Sequence, residues 1–298
     1  MTRHDRPFDG HVLVLDGGTG SELRRRGAEL SDRCWSAEAN RSHLDLLIEI
    51  HLDYIRAGAD IITANTFATS RFVLASAGLD AHFDEINRSS IDAVRQASKS
   101  TDRDLRVAAS LSCLPPAFDA DAYPPPDAEY RAYSELVACF VDNDVDLILL
   151  EMMQDTEHSA LACRAVSMSG LPFWIGVSCR THSRDGRLVT FDNPRQSFVD
   201  VLDAVLPFNP EGVAIMHSPV DAIGPAIEEL GRHWAGAVGA YGEIPYAQDP
   251  TAADDKGIAP DEYAAAAKKW LAQGAVLLGG CCGTMPAHIA ALKALVDG

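Results

Sequence analysis

Two cysteines stand side by side in the stretch Gly279-Gly280-Cys281-Cys282-Gly283-Thr284. The apolar run Ala275-Val276-Leu277-Leu278 before them reads as a buried strand, and Pro286 just beyond marks a first helical turn. The pair is therefore expected at the carboxyl end of a strand, in a glycine-lined turn. A disulfide between neighbouring cysteines strains the peptide that joins them. Two thiolates presented to one soft metal ion carry no such strain. Burial as two small hydrophobes is the plainer interpretation, but the flanking Gly-Gly and Gly-Thr favour metal or thiol chemistry.

An open zinc site keeps one position for an exchangeable ligand. A substrate thiol taken up there is held as a thiolate near neutral pH, whereas a free thiol, with a pKa of about 8.5, stays mostly protonated. Two carboxylates complement that chemistry. Asp16 ends an apolar run and opens the turn Gly17-Gly18-Thr19-Gly20, and Glu151 ends Leu147-Ile148-Leu149-Leu150. Together they suit a substrate ammonium. A cap or salt bridge is the other role open to Glu151, although a carboxylate buried behind four apolar residues with nothing to bind is costly. The Asp16 turn lacks the Gly-Lys-Ser/Thr of a phosphate loop and the spacing of a dinucleotide fingerprint.

The elements that must position these groups alternate along the chain. Apolar strands are expected at 11–15, 61–65, 106–112, 146–151, 172–179, 212–217, 237–241 and 275–278. Helical periodicity follows them at 42–57 (capped by Ser42 and closed by Gly58), on to about 98, and at 129–141, 156–168, 194–206, 220–230, 260–273 and 287–296. Continuous apolar strands fit a parallel sheet covered by helices. Eight strand–helix units in 298 residues predict a single (β/α)8 TIM barrel, one domain over 1–298, with a doubly wound open sheet as the other architecture. The 115–126 loop, rich in proline and aspartate, and the 181–193 segment are expected to shape the binding site.

A parallel barrel gathers its strand ends on one face. That face would carry Asp16, Asn65, Ser112 with Cys113, Glu151, Ser178 with Cys179, Met216 with His217, Tyr241, and Cys281 with Cys282. One polar strand end is an ordinary cap; a full ring is a site.

Composition narrows the class. A hydrophobic content of 47% supports a large core and excludes disorder. A formal net charge of −18 argues against nucleic acid or an anionic membrane as partner. Seven irregularly spaced cysteines, no apolar leader and no run of transmembrane length predict a reduced, cytoplasmic protein.

The chain resembles the homocysteine S-methyltransferase family. The resemblance runs nearly end to end and rests on LDGGTGSEL (15–23), GADIITANTF (58–67), Ile-Leu-Leu-Glu-Met (148–152) and GGCCGTMPAHI (279–289). It implies a (β/α)8 barrel with zinc held by three cysteines, two of them matching Cys281 and Cys282. It also implies transfer of a methyl group from a sulfonium-type donor, such as S-methylmethionine, to a thiol of the homocysteine class. Asp16 and Glu151 match the acidic residues that contact the amino acid part of homocysteine, and Asn65 matches an asparagine of the second motif. Gly17, Gly18, Ser178 and Tyr241 complete the expected substrate-binding set. The expected partners are a small thiol and a methyl donor; the oligomeric state, homo-oligomer included, stays open.

Two positions depart from the family pattern. Met216 stands where the third zinc cysteine is expected, in Ile215-Met216-His217-Ser218-Pro219. A thioether is a poor zinc ligand beside thiolates. His217 could complete the set, Cys179 or Cys113 could substitute, or the metal is lost. Strand parity points His217 away from Met216 unless the strand end bulges. At the seventh strand, Tyr241-Gly242-Glu243 replaces the family's Tyr-Pro-Asn or Tyr-Ala-Asn. A zinc-free enzyme acting on a small sulfur or amino-acid compound, and a non-catalytic binding protein, are the competing readings.

Overall fold

The computed structural model describes residues 11–113, 123–245 and 257–298. Most of the 115–126 loop and the polar loop through Asp249 and Asp255 lie outside the described residues. Ten strands occur among those described: β1 (Leu13–Val14), β2 (Ile61–Ala64), β3 (Arg106–Ser112), β4 (Leu147–Met153), β5 (Phe173–Val177), β6 (Cys179–Thr181), β7 (Leu188–Thr190), β8 (Gly212–Pro219), β9 (Ala237–Glu243) and β10 (Ala275–Leu278). Eight form one parallel sheet in the order β1-β10-β9-β8-β5-β4-β3-β2. A parallel bridge between Leu15 and Ile61 brings β1 back to β2. Helices on the outside return the chain between strands, so the expected barrel is the observed one.

Alternation along each strand builds two apolar layers. Leu147, Leu149, Trp174, Ala214, Met216 and Leu277 fill the inside of the barrel, while Ile148, Leu150, Ile175, Val213 and Ile215 face the helices. Trp174 occupies the space left by two glycines: a Cβ on Gly212 would lie 2.4 Å, and one on Gly239 3.0 Å, from its ring. The indole therefore plugs the barrel, and the polar strand ends sit beyond it.

Two local expectations change. Ser42 does not cap the long helix; it closes a short turn, Ala39–Ser42, with its hydroxyl donating back to the Glu38 carbonyl, and His43 precedes Leu44–Arg56 without a side-chain cap bond. The helix expected from 194 begins at Phe198, where the Ser197 hydroxyl accepts from the Val199 amide. The preceding residues are used differently, since β6 and β7 form an antiparallel hairpin around Asp185-Gly186, with Gly186 at φ +73°. Asp-Gly is a turn signal, one that the sequence reading did not use. Among the described residues, no helix is long and apolar enough to cross a membrane.

Candidate functional site

A cavity of about 500 Å³ opens at the carboxyl ends of the strands, within the range that holds small-molecule ligands. Asp16, Gly17, Gly18, Asn65, Glu151, His217, Cys281 and Cys282 all reach its wall. Ser178 and Tyr241 stand one step behind it.

The cysteine turn is held from both sides. Cys281 donates its amide to the Gly242 carbonyl at 3.0 Å, and the Ile244 amide donates to the Cys282 carbonyl at 3.0 Å, tying the turn to β9. Toward β1, the Gly280 amide donates to the Asp16 carbonyl at 3.0 Å, and the Thr284 hydroxyl accepts from the Gly18 amide at 3.2 Å. A Cβ on Gly18 would come within 2.6 Å of the Cys281 carbonyl oxygen. Gly18 thus allows the first turn to lie against the cysteine turn, a packing role as well as a place on the wall. Cys281 and Cys282 are the only free cysteines among the described residues that are not fully buried.

Strand β8 supplies the third group. It pairs Met216 with Tyr241 and then Pro219 with Glu243, so β8 carries one residue more than β9 across that interval. His217 is that bulge, at φ +42°. A histidine tolerates the left-handed region better than a β-branched residue would, yet the position is uncommon. The bulge breaks strand parity and brings His217 to the same cavity as Met216. Its Nδ1 lies 3.4 Å from Cys281 Sγ. The ligand atoms of His217, Cys281 and Cys282 lie within 4.8 Å of one another. Two thiolates and an imidazole are a common zinc set, and three protein ligands leave a fourth position open; the donors fit that metal.

The substitutes considered for the third ligand do not reach the site. Cys179 packs in the outer layer, where its sulfur contacts the Ser218 hydroxyl at 3.7 Å. Cys113 is also in the outer layer, 3.8 Å from Met153 Sδ and from Ser159 Oγ. Parity explains both, because Cys113 continues the outward set of Val107, Ala109 and Leu111, and Cys179 that of Ile175 and Val177. Burial pushes both thiols up to about 12. Met216 remains inside the barrel, its sulfur accepting from the Ser178 hydroxyl at 3.1 Å and the Met152 amide at 3.3 Å. Ser178 therefore holds the thioether and does not face the cavity.

Charge is shared within the thiol group. A hydrogen bond from Cys281 holds Cys282 well below the ordinary thiol range, against burial and with help from His217; the same bond, with burial, pushes Cys281 up. Burial pulls His217 down, but its contact with Cys282 and the nearby Glu243 charge outweigh that and raise it to about 9.

The two carboxyls lie on the other side of the cavity. Asp16 is 2% exposed and accepts from the Thr63 amide and the Thr63 hydroxyl, each at 2.8 Å. Burial raises it to about 8 despite those bonds, with the Glu151 charge adding to the rise. Glu151 follows the parity of Leu147 and Leu149 into the barrel mouth. It accepts from the Ser110 hydroxyl and interacts with the Tyr241 phenol. Burial raises it to about 7, those two hydrogen bonds opposing. Two carboxyls on one wall, Asp16 buried and Glu151 half-buried, suit an incoming ammonium. Met152, at φ +58°, bulges at the end of β4 and also reaches the wall.

Asn65 uses its amide within the fold. Its Oδ1 accepts from Ser36 Oγ at 2.6 Å, and its Nδ2 donates to the Ser36 carbonyl at 2.9 Å and to Asn40 Oδ1 at 2.7 Å. It braces the 36–40 segment while forming part of the wall. Thr63 and Ser110 were missed as site residues, although both share strand parity with a recognised neighbour: Thr63 with Asn65, Ser110 with Ser112. Ser112 itself turns to the Phe67 carbonyl at 2.7 Å. Asp192, from beyond the hairpin, also lines the cavity and is clamped by Gln154 through two reciprocal bonds of 2.8 Å.

A family model described as homocysteine S-methyltransferase matches residues 13–296. Selenocysteine Se-methyltransferase of Brassica oleracea var. italica is 25% identical, over 97% of this chain and 90% of its own length. Homocysteine S-methyltransferase YbgG of Bacillus subtilis (strain 168) is 26% identical, over 95% of this chain and 94% of its own. The fold is shared with the metallated form of the homocysteine methyltransferase MmuM from Escherichia coli, at a TM-score of 0.78 and 24% identity, covering 97% of this chain and 99% of that one.

Proposed function

Because the chain belongs to the homocysteine S-methyltransferase family, we propose that it transfers a methyl group to a thiol or selenol of the homocysteine class, bound in the cavity beside Cys281, Cys282 and His217. A single barrel domain would present both substrates at one mouth. The observation that carries the reading is the placement of a two-cysteine, one-histidine donor set and a carboxyl pair on one wall.

Cys281, Cys282 and His217 would hold zinc. When bound, zinc stabilises the acceptor as a thiolate at neutral pH. The rest of the work falls to the chain. Asp16 and Glu151 receive the acceptor's ammonium, and Thr63 and Ser110 fix the two carboxyls by hydrogen bonds. An ammonium favours the ionised carboxylates, so binding releases a proton from the pair. The cavity then holds the acceptor sulfur toward a sulfonium-type donor such as S-methylmethionine. A lone pair of the acceptor sulfur forms the new S–C bond, and the old S–C pair returns to the donor sulfur. A thiolate and a sulfonium become two neutral thioethers. Charge is annihilated in the step, and proximity supplies much of the rate.

The test is a methyl-transfer assay with homocysteine and selenocysteine as acceptors against a panel of sulfonium donors. The expected result is a thioether or selenoether product that requires Cys281 and Cys282. Absence of methylated product from every acceptor and donor pair would overturn the reading.

A further inference from the structure

We propose that Glu243 is a positioning residue that fixes the His217 ring so that Nδ1 faces the two cysteines, an inference that rests on the metal-binding reading of this site. The His217 ring lies between two groups: Nδ1 is 3.4 Å from Cys281 Sγ, and Nε2 is 3.4 Å from Glu243 Oε2. A neutral imidazole has one N–H and one lone pair, so only the tautomer protonated at Nε2 offers Nδ1 to a metal. A carboxylate facing Nε2 selects that tautomer and raises the basicity of the ligating nitrogen. The Phe191 ring, edge-on at 4.7 Å and 65°, restricts the imidazole from a third direction.

The same backbone irregularity builds both halves of the device. The extra residue of β8 between the Met216–Tyr241 and Pro219–Glu243 pairs turns His217 inward, and that register sets Glu243 beside it. Met216, one residue earlier, has its sulfur engaged by Ser178 and Met152 and takes no part. The ligand has in effect moved one position along the strand, and Glu243 supplies the partner that a histidine ligand needs and a cysteine does not.

Zinc affinity by competition with a chromophoric chelator, on the full-length wild type and on Glu243→Ala, Glu243→Gln, His217→Cys and His217→Cys/Glu243→Ala, tests this. Glu243→Ala should weaken zinc about 10- to 100-fold, and the isosteric Glu243→Gln, which keeps an acceptor, should weaken it less. With His217→Cys in place, Glu243→Ala should change affinity by about twofold or less, the size expected for uncoupled sites. Cobalt(II) spectra should show a perturbed nitrogen ligand field in Glu243→Ala and no change between the two His217→Cys proteins. Equal losses in both backgrounds would make Glu243 a general electrostatic contributor and overturn the proposal, as would unchanged affinity in both single Glu243 variants. A wild type that binds no zinc would instead remove the metal reading itself, and this inference with it.

Discussion

The cavity has two halves built on different rules. On the β1–β4 side, Asp16 and Glu151 are each fixed by hydroxyl or amide donors from the neighbouring strand, and Glu151 follows regular strand alternation. On the β8–β10 side, His217 sits on a bulge at positive φ and the cysteines sit in a glycine turn beyond the strand. The first half is a consequence of pleat; the second depends on departures from it. Regular backbone serves a charge that must be held in one place for a whole ammonium group. A metal needs donors converging from several elements, and a strand end reaches that geometry by bending.

Breaking the thiol half should stop the chemistry and spare amino-acid binding. Cys281→Ser and Cys282→Ser are expected to lose stoichiometric zinc and to bring methyl transfer down to background, while binding of the acceptor's amino-acid part, followed calorimetrically with a thiol-free analogue, persists. Breaking the carboxylate half should do the reverse. Glu151→Gln should keep its zinc and lose roughly 10- to 150-fold in kcat/KM for the acceptor, the value of a charge-assisted hydrogen bond of about 1.5–3 kcal/mol.

The carboxyls also make the ligand-free protein pH-sensitive. Both are raised in the folded state, Asp16 to about 8 and Glu151 to about 7. Their contribution to stability is therefore complete below the unfolded carboxyl range and is lost as pH rises through those values. The melting temperature of the metal-free protein should fall between about pH 5 and pH 8, and Glu151→Gln should melt with a shallower dependence. A wild-type profile flat over that interval would show that the carboxyls are ordinary.

Smaller effects separate bracing from binding. Asn65→Ala removes three buried hydrogen bonds with Ser36 and Asn40 and should destabilise by about 1–3 kcal/mol, read by denaturant unfolding, with zinc content unchanged. Ser110→Ala removes one hydroxyl donor to Glu151 and should cost about 0.5–1.5 kcal/mol in acceptor binding, the least of the set.

How much of this was legible follows the same division. Apolar runs that end in Asp16, Glu151 and the cysteine pair place those groups on one face of a parallel barrel, because strand direction alone decides it. Parity also brings in Thr63 and Ser110, which were overlooked because neither ends its strand. His217 could be read only conditionally, since a bulge is a property of the pairing between β8 and β9 and neither strand shows it alone. Cys179 and Cys113 illustrate the converse: close to the site in sequence terms, they are carried into the outer layer by regular alternation. Asn65 carries the family motif, yet its amide is consumed by the 36–40 segment, a tertiary contact that no local pattern announces. The hairpin at Asp185-Gly186 was signalled by its turn residues and displaced the start of the following helix.

The most direct measurement is zinc per chain in protein purified reduced and without chelator, for the wild type and for His217→Ala. The expected result is about one zinc per chain in the wild type and its loss in His217→Ala. No zinc in the wild type, or full retention in the variant, would contradict a metal centre made by Cys281, Cys282 and His217.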